Sequence, residues 1–273
     1  MIEIRDLRVR FGAIRAIDGL SLDVAAGESI LLAGANGAGK TTLLRALAGV
    51  LRTPAGAVRI DGAPVSAAAR RRIAYLPASI SLYDGLTVAQ AVRLHGRFFG
   101  RRPEFEIGGL RLLPHQRVGA LSKGEKTLLS LSMAMAAAPE YLFIDDVIHF
   151  LDPHLRDVFV DSILRLIGEK KLTLIIASQT ASEIEGLPER VLVMERGRIV
   201  LDEPLEELKR RFVRVYDRQA PPGLPVVYSR EWPEGRELYV YPYRPELQPL
   251  EGAEHLSLRE ILRAVIGGEY DRH

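Results

Sequence analysis

Read for the spacing of its apolar positions, the chain opens on "MIEIRDLRVRF", where apolar and polar residues alternate with the period of a half-buried strand. Strands with short turns are expected from Met1 to about Gly34, the last of them the apolar "SILLAG". A helical pattern follows Lys40 in "LLRALAG" and closes at Gly49, after which "AVRIDG" returns to strand. The central part alternates. A helix follows Leu121, a strand runs from Tyr141 to Asp145, a helix follows Pro153, and "LTLIIAS" and "RVLVME" are strands. Val/Ile/Leu-rich strands alternating with helices predict a mainly parallel sheet covered on both faces. From about Arg210 the texture changes, with "QAPPGLP" and "EWPEG" as turns between short strands such as "ELYVYPY", before a final helix "SLREILRAVIGG". The expected organisation is an α/β domain over 1–209 and a small C-terminal α+β extension over 210–273.

Composition narrows the function classes. The chain has 273 residues, of which 47% are hydrophobic, enough for one large domain and a small appendage. The net charge of +2 arises from nearly balanced acids and bases without a dense Lys/Arg face, which argues against a nucleic-acid partner. The absence of cysteine excludes disulfides and thiolate chemistry and agrees with a reducing compartment. The N-terminus lacks the apolar core of a signal peptide, and the most apolar helical stretch, "LLSLSMAMAAAPEYLF", is broken by Pro139 and Glu140 and is too short to span a membrane. A cytoplasmic location is expected, with any membrane role supplied by a partner.

The chemistry begins at "GANGAGKT", Gly34 to Thr41, which fits the phosphate-loop pattern G-x-x-x-x-G-K-[ST] between a strand and a helix. Glycines let backbone N–H groups wrap phosphates, Lys40 can reach the β and γ phosphates, and Thr41 can offer its hydroxyl to Mg²⁺. Asn36, Gly37, Gly39, Lys40, Thr41 and Thr42 are the candidate ATP-binding residues of this loop. The strand "LFID" then ends in two carboxylates, Asp145 and Asp146. Asp145 is the candidate Mg²⁺ ligand together with Thr41, and Asp146 the candidate base for an attacking water.

"GANGAGKTT", "LSKGEK" (Leu121 to Lys126), "LFIDD" and "FLDP" together resemble the ATP-binding subunits of ABC transporters, over roughly Met1 to Glu206. The resemblance implies a P-loop NTPase fold of ABC type, with a mainly parallel sheet, an N-terminal antiparallel β subdomain and a short helical subdomain at about 79–138. It also implies Mg-ATP as ligand, ATP hydrolysis coupled to transport, and a multi-span membrane permease on the inner face of the cell membrane. Two ATP-binding domains pack head to tail in that family, so Ser122, Gly124 and Glu125 of the signature would meet a partner's nucleotide, with Asp152 in the D-loop at the seam. Taken alone, Ser122 also reads as a helix N-cap. Phe11 matches the family's adenine-stacking aromatic, a stack worth on the order of 1–3 kcal/mol by analogy with base stacking; a core Phe is the competing reading. The signature and C-terminal extension look most like the drug, antibiotic and polysaccharide exporter branch. A soluble regulatory ABC-type protein without a transport role is the alternative.

Three positions depart from the family pattern on the γ-phosphate side. Ala78 stands where a Gln is usual, Asp146 where the catalytic Glu is usual, and Gln179 where the switch His is usual. The D-loop carries Val147 for a common Pro and the bulky Phe150 for a small residue. Weak turnover at the chain's own site follows as an expectation, with Asp146 and Gln179 as atypical catalytic candidates. A second ATP-binding subunit carrying the Glu and His is the expected partner, a homodimer being the alternative.

Overall fold

A computed structural model describes residues 1–79, 82–99, 106–107, 110–169, 172–178, 184, 186–217, 223–232, 235–246 and 249–267. The chain begins with two long antiparallel strands, β1 (Ile2–Phe11) and β2 (Ile14–Val24); Ile2 and Ile4 face inward as the alternation predicts, and an irregularity between Ile4 and Leu7, with Asp6 at φ +42°, shifts the phase so that Leu7 and Val9 face inward too. Then come β3 (Ser29–Gly34), α1 (Lys40–Leu47), β4 (Val58–Ile60), β5 (Ala63–Pro64), a single helical turn α2 (Ala67–Arg70) and β6 (Ile73–Leu76). The order β2-β1-β4-β5 forms a four-stranded antiparallel sheet.

Next come α3 (Val88–Phe99), the short strands β7 (Glu106–Ile107) and β8 (Leu110–Arg111), α4 (Lys123–Ala136), β9 (Tyr141–Asp145), α5 (Pro153–Glu169), β10 (Thr173–Ser178), β11 (Arg190–Glu195) and β12 (Arg198–Pro204). The main sheet has the order β12-β11-β3-β10-β9-β6, parallel throughout except for the edge strand β12. β3, β9 and β10 are buried along their whole length, as strands of a sheet covered on both faces must be. Their residues alternate between two cores. Leu31, Ala33, Leu142, Ile144, Leu174 and Ile176 pack on the side of α4 and α5. Ile30, Leu32, Phe143 and Ile175 pack on the side of α1 and the antiparallel sheet.

The helical region has a small core of its own, in which Val88, Ala91 and Val92 of α3 meet Leu129 and Met133 of α4 and the loop residues Leu112, Val118 and Leu121. After β12 the chain forms α6 (Leu205–Arg211) and then a second antiparallel sheet of order β14-β15-β13-β16, from β13 (Val213–Asp217), β14 (Val226–Trp232), β15 (Gly235–Val240) and β16 (Glu254–His255). The final helix α7 (Leu258–Gly267) places Leu258, Ile261, Leu262 and Ala264 in the same core as Phe159 and Ile176. α7 therefore shares its packing with the main sheet, while Val213, Val215, Leu238 and Val240 of the second antiparallel sheet form a small cluster of their own.

Candidate active site

Parallel strands present their carboxyl ends to a common edge, and ligands of open α/β sheets bind there. At that edge the chain leaves β3 at Gly34, turns through Asn36 and Gly37 and enters α1 after Gly39. The Gly39 backbone lies at φ +109°, and a Cβ on it would stand 2.4 Å from the Ala16 carbonyl oxygen, so only glycine lets the loop pass this close to β2. No side chain caps the start of α1, and its first turn holds no acid. The opening amides and the positive end of the helix dipole are thus left for an anion.

A cavity of about 270 Å³ opens over this turn, lined by Ile14, Ala16, Asn36 to Thr42, Asp145 and Asp146. The Lys40 ammonium lies in its wall and donates to the carbonyls of Gly34 at 2.7 Å and Ala35 at 3.0 Å. Burial pulls the Lys40 pKa below its ordinary value, against the opposing pull of the Asp146 and Asp145 carboxylates. Asp145, at the end of β9 and 1% exposed, accepts from Thr41 Oγ1 at 2.9 Å and from the Tyr75 hydroxyl at 3.0 Å. Burial first, and then the charge of Asp145, push the Tyr75 pKa up to about 12, so the phenol stays protonated and donates.

The donor set suits Mg²⁺. A threonine hydroxyl and a carboxylate are hard oxygen ligands 2.9 Å apart, close enough to share one small cation in place of their mutual hydrogen bond. Among the described residues no cluster of three or more His, Cys, Asp or Glu could hold a metal by itself. Mg²⁺ is commonly held by one or two protein oxygens and completed by phosphates and water.

Asp146 sits at φ +50°, with its amide donating to the Ala177 carbonyl at 3.0 Å. Its Oδ1 is 3.6 Å from His149 Nδ1. Beyond it Val147 is buried and Phe150 is partly exposed. Asp152 accepts from the Leu155 amide at 2.9 Å and caps the start of α5.

Ser122 is the N-cap of α4 in a complete capping box. Its Oγ accepts from the Glu125 amide at 3.1 Å, and the Glu125 carboxylate accepts from the Ser122 amide at 2.8 Å. Gly124 is buried against α5, where a Cβ would meet Leu155 Cδ1 at 2.5 Å. None of these signature residues lines the cavity. Phe11 is 53% exposed at the tip of the β1–β2 hairpin, beside Ile14 but not in the cavity wall, so the core reading of this residue is overturned. Ala78 is half-buried just after β6, and Gln179 lies outside the described residues. Tyr75, His149, Ile14 and Ala16 join the site only through the fold, since the sequence carries no motif that marks them.

Residues 17–149 match the model of the ABC transporter family. The Nod factor export ATP-binding protein I of Burkholderia lata is 33% identical over 213 residues, covering 74% of this chain and 70% of that protein. The chain belongs to the ABC transporter family. The methionine import ATP-binding protein MetN of Caulobacter vibrioides is 32% identical over 253 residues, covering 82% of this chain and 76% of the relative. Among solved structures, an ATP-binding subunit of an ABC transporter superposes with a TM-score of 0.68 at 22% identity, covering 77% of this chain and 92% of that one. A dimeric ATP-binding cassette in a post-hydrolysis state with ADP and phosphate superposes at 0.66 and 19% identity, covering 75% and 99%. The P-loop fold of ABC type, with its antiparallel β subdomain, is thereby established. The chain is an ABC-type ATPase subunit. Both exporters and importers are among its relatives. Among the described residues no helix is long and apolar enough to cross a membrane.

Proposed function

We propose that this ABC transporter subunit binds Mg-ATP in the cavity between the Gly34–Thr42 loop and the end of β9, hydrolyses it slowly at that site, and works on the inner face of the membrane through a permease. The observation that carries the reading is the joining of Lys40, Thr41 and Asp145 in one cavity wall, with Asp146 on the same wall. Lys40 and the open amides of α1 would bind the phosphates, and Thr41 and Asp145 would hold Mg²⁺. The metal, when bound, neutralises charge on the phosphate oxygens. Asp146 would orient the attacking water, and Phe11, exposed at the tip of the β1–β2 hairpin, would offer its ring to the adenine.

The slow turnover follows from reach. Asp is one methylene shorter than Glu, a displacement of about 1 Å of the size that can cost roughly a hundredfold in rate. Ala78 offers no side-chain ligand, and Gln179 can donate a hydrogen bond but cannot take up a proton or a positive charge. Ser122 and Gly124 of the signature are kept, and that asymmetry favours a second ATP-binding subunit whose site this chain completes. It also favours the exporter branch, which its Nod factor export relatives support.

The purified chain is expected to bind Mg-ATP in calorimetry, with Lys40→Ala weakening it strongly. Its steady-state hydrolysis should be slow, and the double change Asp146→Glu with Gln179→His should raise it. No binding at millimolar nucleotide would refute the nucleotide site. Vigorous Mg²⁺-dependent hydrolysis by the unmodified chain alone, abolished by Lys40→Ala, would refute the weak site and with it the need for an unlike partner.

A further inference from the structure

Asp146 is held at its main chain and approached at its side chain. Its left-handed φ of +50° is tolerated by Asp better than by most residues, and the hydrogen bond to Ala177 keeps the backbone on the edge of β10. The chain then passes through Val147 into the 3-10 turn Ile148–Phe150, which brings residue 149 back beside residue 146. His149 Nδ1 stops 3.6 Å from Asp146 Oδ1, just beyond hydrogen-bond range. Catalytic contacts are commonly long before the nucleotide binds and tighten in the complex.

The imidazole is also supported by its neighbour. The Phe150 ring packs against it with centroids 3.8 Å apart, and the Lys123 ammonium lies 5.1 Å from the centre of the Phe150 ring. Lys123 opens α4, directly after Ser122. A continuous row of side chains thus runs from the cavity acid through His149 and Phe150 to the first turn of the signature helix.

We propose that His149 is a positioning residue for Asp146, its Nδ1–H donating to the carboxylate when Mg-ATP fills the cavity and fixing the direction of this short acid toward the attacking water. The inference rests on the reading of Asp146 as the water-orienting base. A carboxylate that falls short in reach is the more sensitive to any error of direction, so a contact that fixes its direction counts for more.

The test uses the full chain with four variants: His149→Ala, His149→Asn, Asp146→Asn and the double variant His149→Ala with Asp146→Asn. Single-turnover hydrolysis is followed with radiolabelled ATP and Mg²⁺, and affinity by calorimetry. His149→Ala should slow hydrolysis about tenfold at saturating Mg-ATP, a fraction of what a 1 Å misplacement costs, while its dissociation constant stays within about twofold. His149→Asn, which keeps a side-chain N–H near the Nδ1 position, should recover most of the rate. On the Asp146→Asn background the loss of His149 should cost nothing further, the coupling expected of two groups that act as one. An unchanged rate, a loss that multiplies on that background, or a parallel loss of affinity overturns the proposal. A second measurement is independent of turnover. The imidazole nitrogen resonances of His149 in Mg-nucleotide-bound protein, assigned by their loss in His149→Asn, should move in Asp146→Asn, and resonances that stay put overturn the contact itself. If they move while Asp146→Asn hydrolyses at the unmodified rate, or if the unmodified chain hydrolyses no faster than Lys40→Ala, it is the base reading that has failed, and the positioning role is overturned with it.

Discussion

Asp145 shows how one buried carboxylate is kept ready for a cation. Burying a carboxylate is costly unless its oxygens find donors, and two of them, Thr41 and Tyr75, each satisfy one oxygen of Asp145. Thr41 can give way to a metal, whereas Tyr75, its pKa pushed up to about 12, keeps its proton and stays a donor. Groups that orient a metal ligand from behind commonly change metal affinity by about tenfold or more when removed. Tyr75→Phe is therefore expected to raise the dissociation constant for Mg-ATP by about tenfold and to leave that for ATP in excess chelator nearly unchanged. Calorimetry under both conditions checks this, and equal effects in the two would mean that the phenol only fills space.

At the scale of elements, the start of α4 is set by two independent devices. The Ser122–Glu125 capping box satisfies amides that a helix start leaves open, and Gly124 lets the first turn come down on Leu155 of α5. A methyl at position 124 would stand 2.5 Å from Leu155 Cδ1, the mobile end of a side chain, so Leu155 must swing aside. Overpacking of this kind costs about 1–3 kcal/mol, against a gain of about 1 kcal/mol from replacing Gly with Ala inside a helix. Gly124→Ala should lower stability by no more than about 2 kcal/mol, and adding Leu155→Val should restore part of the loss. Urea titration of both variants checks it; a second change that deepens the loss would show that the clash is not with Leu155.

The whole molecule is tied across its two N-terminal sheets by a cluster of charges. Asp61, in the turn between β4 and β5, accepts from the Met1 amine at 2.6 Å, from Arg72 at 2.6 Å and from the Tyr141 hydroxyl at 2.9 Å, while Arg72 also pairs with Glu140. The Met1 amine above all, with help from Arg72 and Tyr141 and against the effect of burial, lowers the Asp61 pKa to about 2. An unfolded Asp titrates near ~3.9. A depressed folded pKa stabilises the native state above the unfolded value, and that stabilisation is lost as pH falls through the folded one. Some of the acid destabilisation should thus fall between about pH 4 and pH 2, and Asp61→Asn should lower stability at neutral pH while flattening the dependence in that window. The side chain is 40% exposed, so solvent screening makes the effect modest. Denaturant midpoints measured across that range check it, and identical slopes for the two proteins would remove Asp61 from the acid response.

What the sequence determined by itself is local in the chain. The phosphate loop and the helix after it are contiguous, so their spacing and their glycines already specify a turn that cradles phosphate. The apolar run ending at Asp145 and Asp146 specifies a buried strand with its acids at one edge, and the apolar residues of β1 mark which of its positions face inward, though not the shift of phase between Ile4 and Leu7. The mainly parallel sheet was legible for the same reason, because Val/Ile/Leu-rich runs separated by helical periods have few other ways to be covered. The single-turn α2, the short α6 and the pairing of β16 with β13 were not, since so few residues carry no period of their own. Only the tertiary structure decided which remote residues join the site. Tyr75 reaches Asp145 because β6 pairs with β9, and Ala16 closes on Gly39 because the β1–β2 hairpin folds over the loop. It also put Phe11 on the surface, against the competing core reading, and it set α7 into the main core. Those outcomes depend on pairings between distant segments, and the energy that selects them comes from surfaces that meet only once the chain is folded.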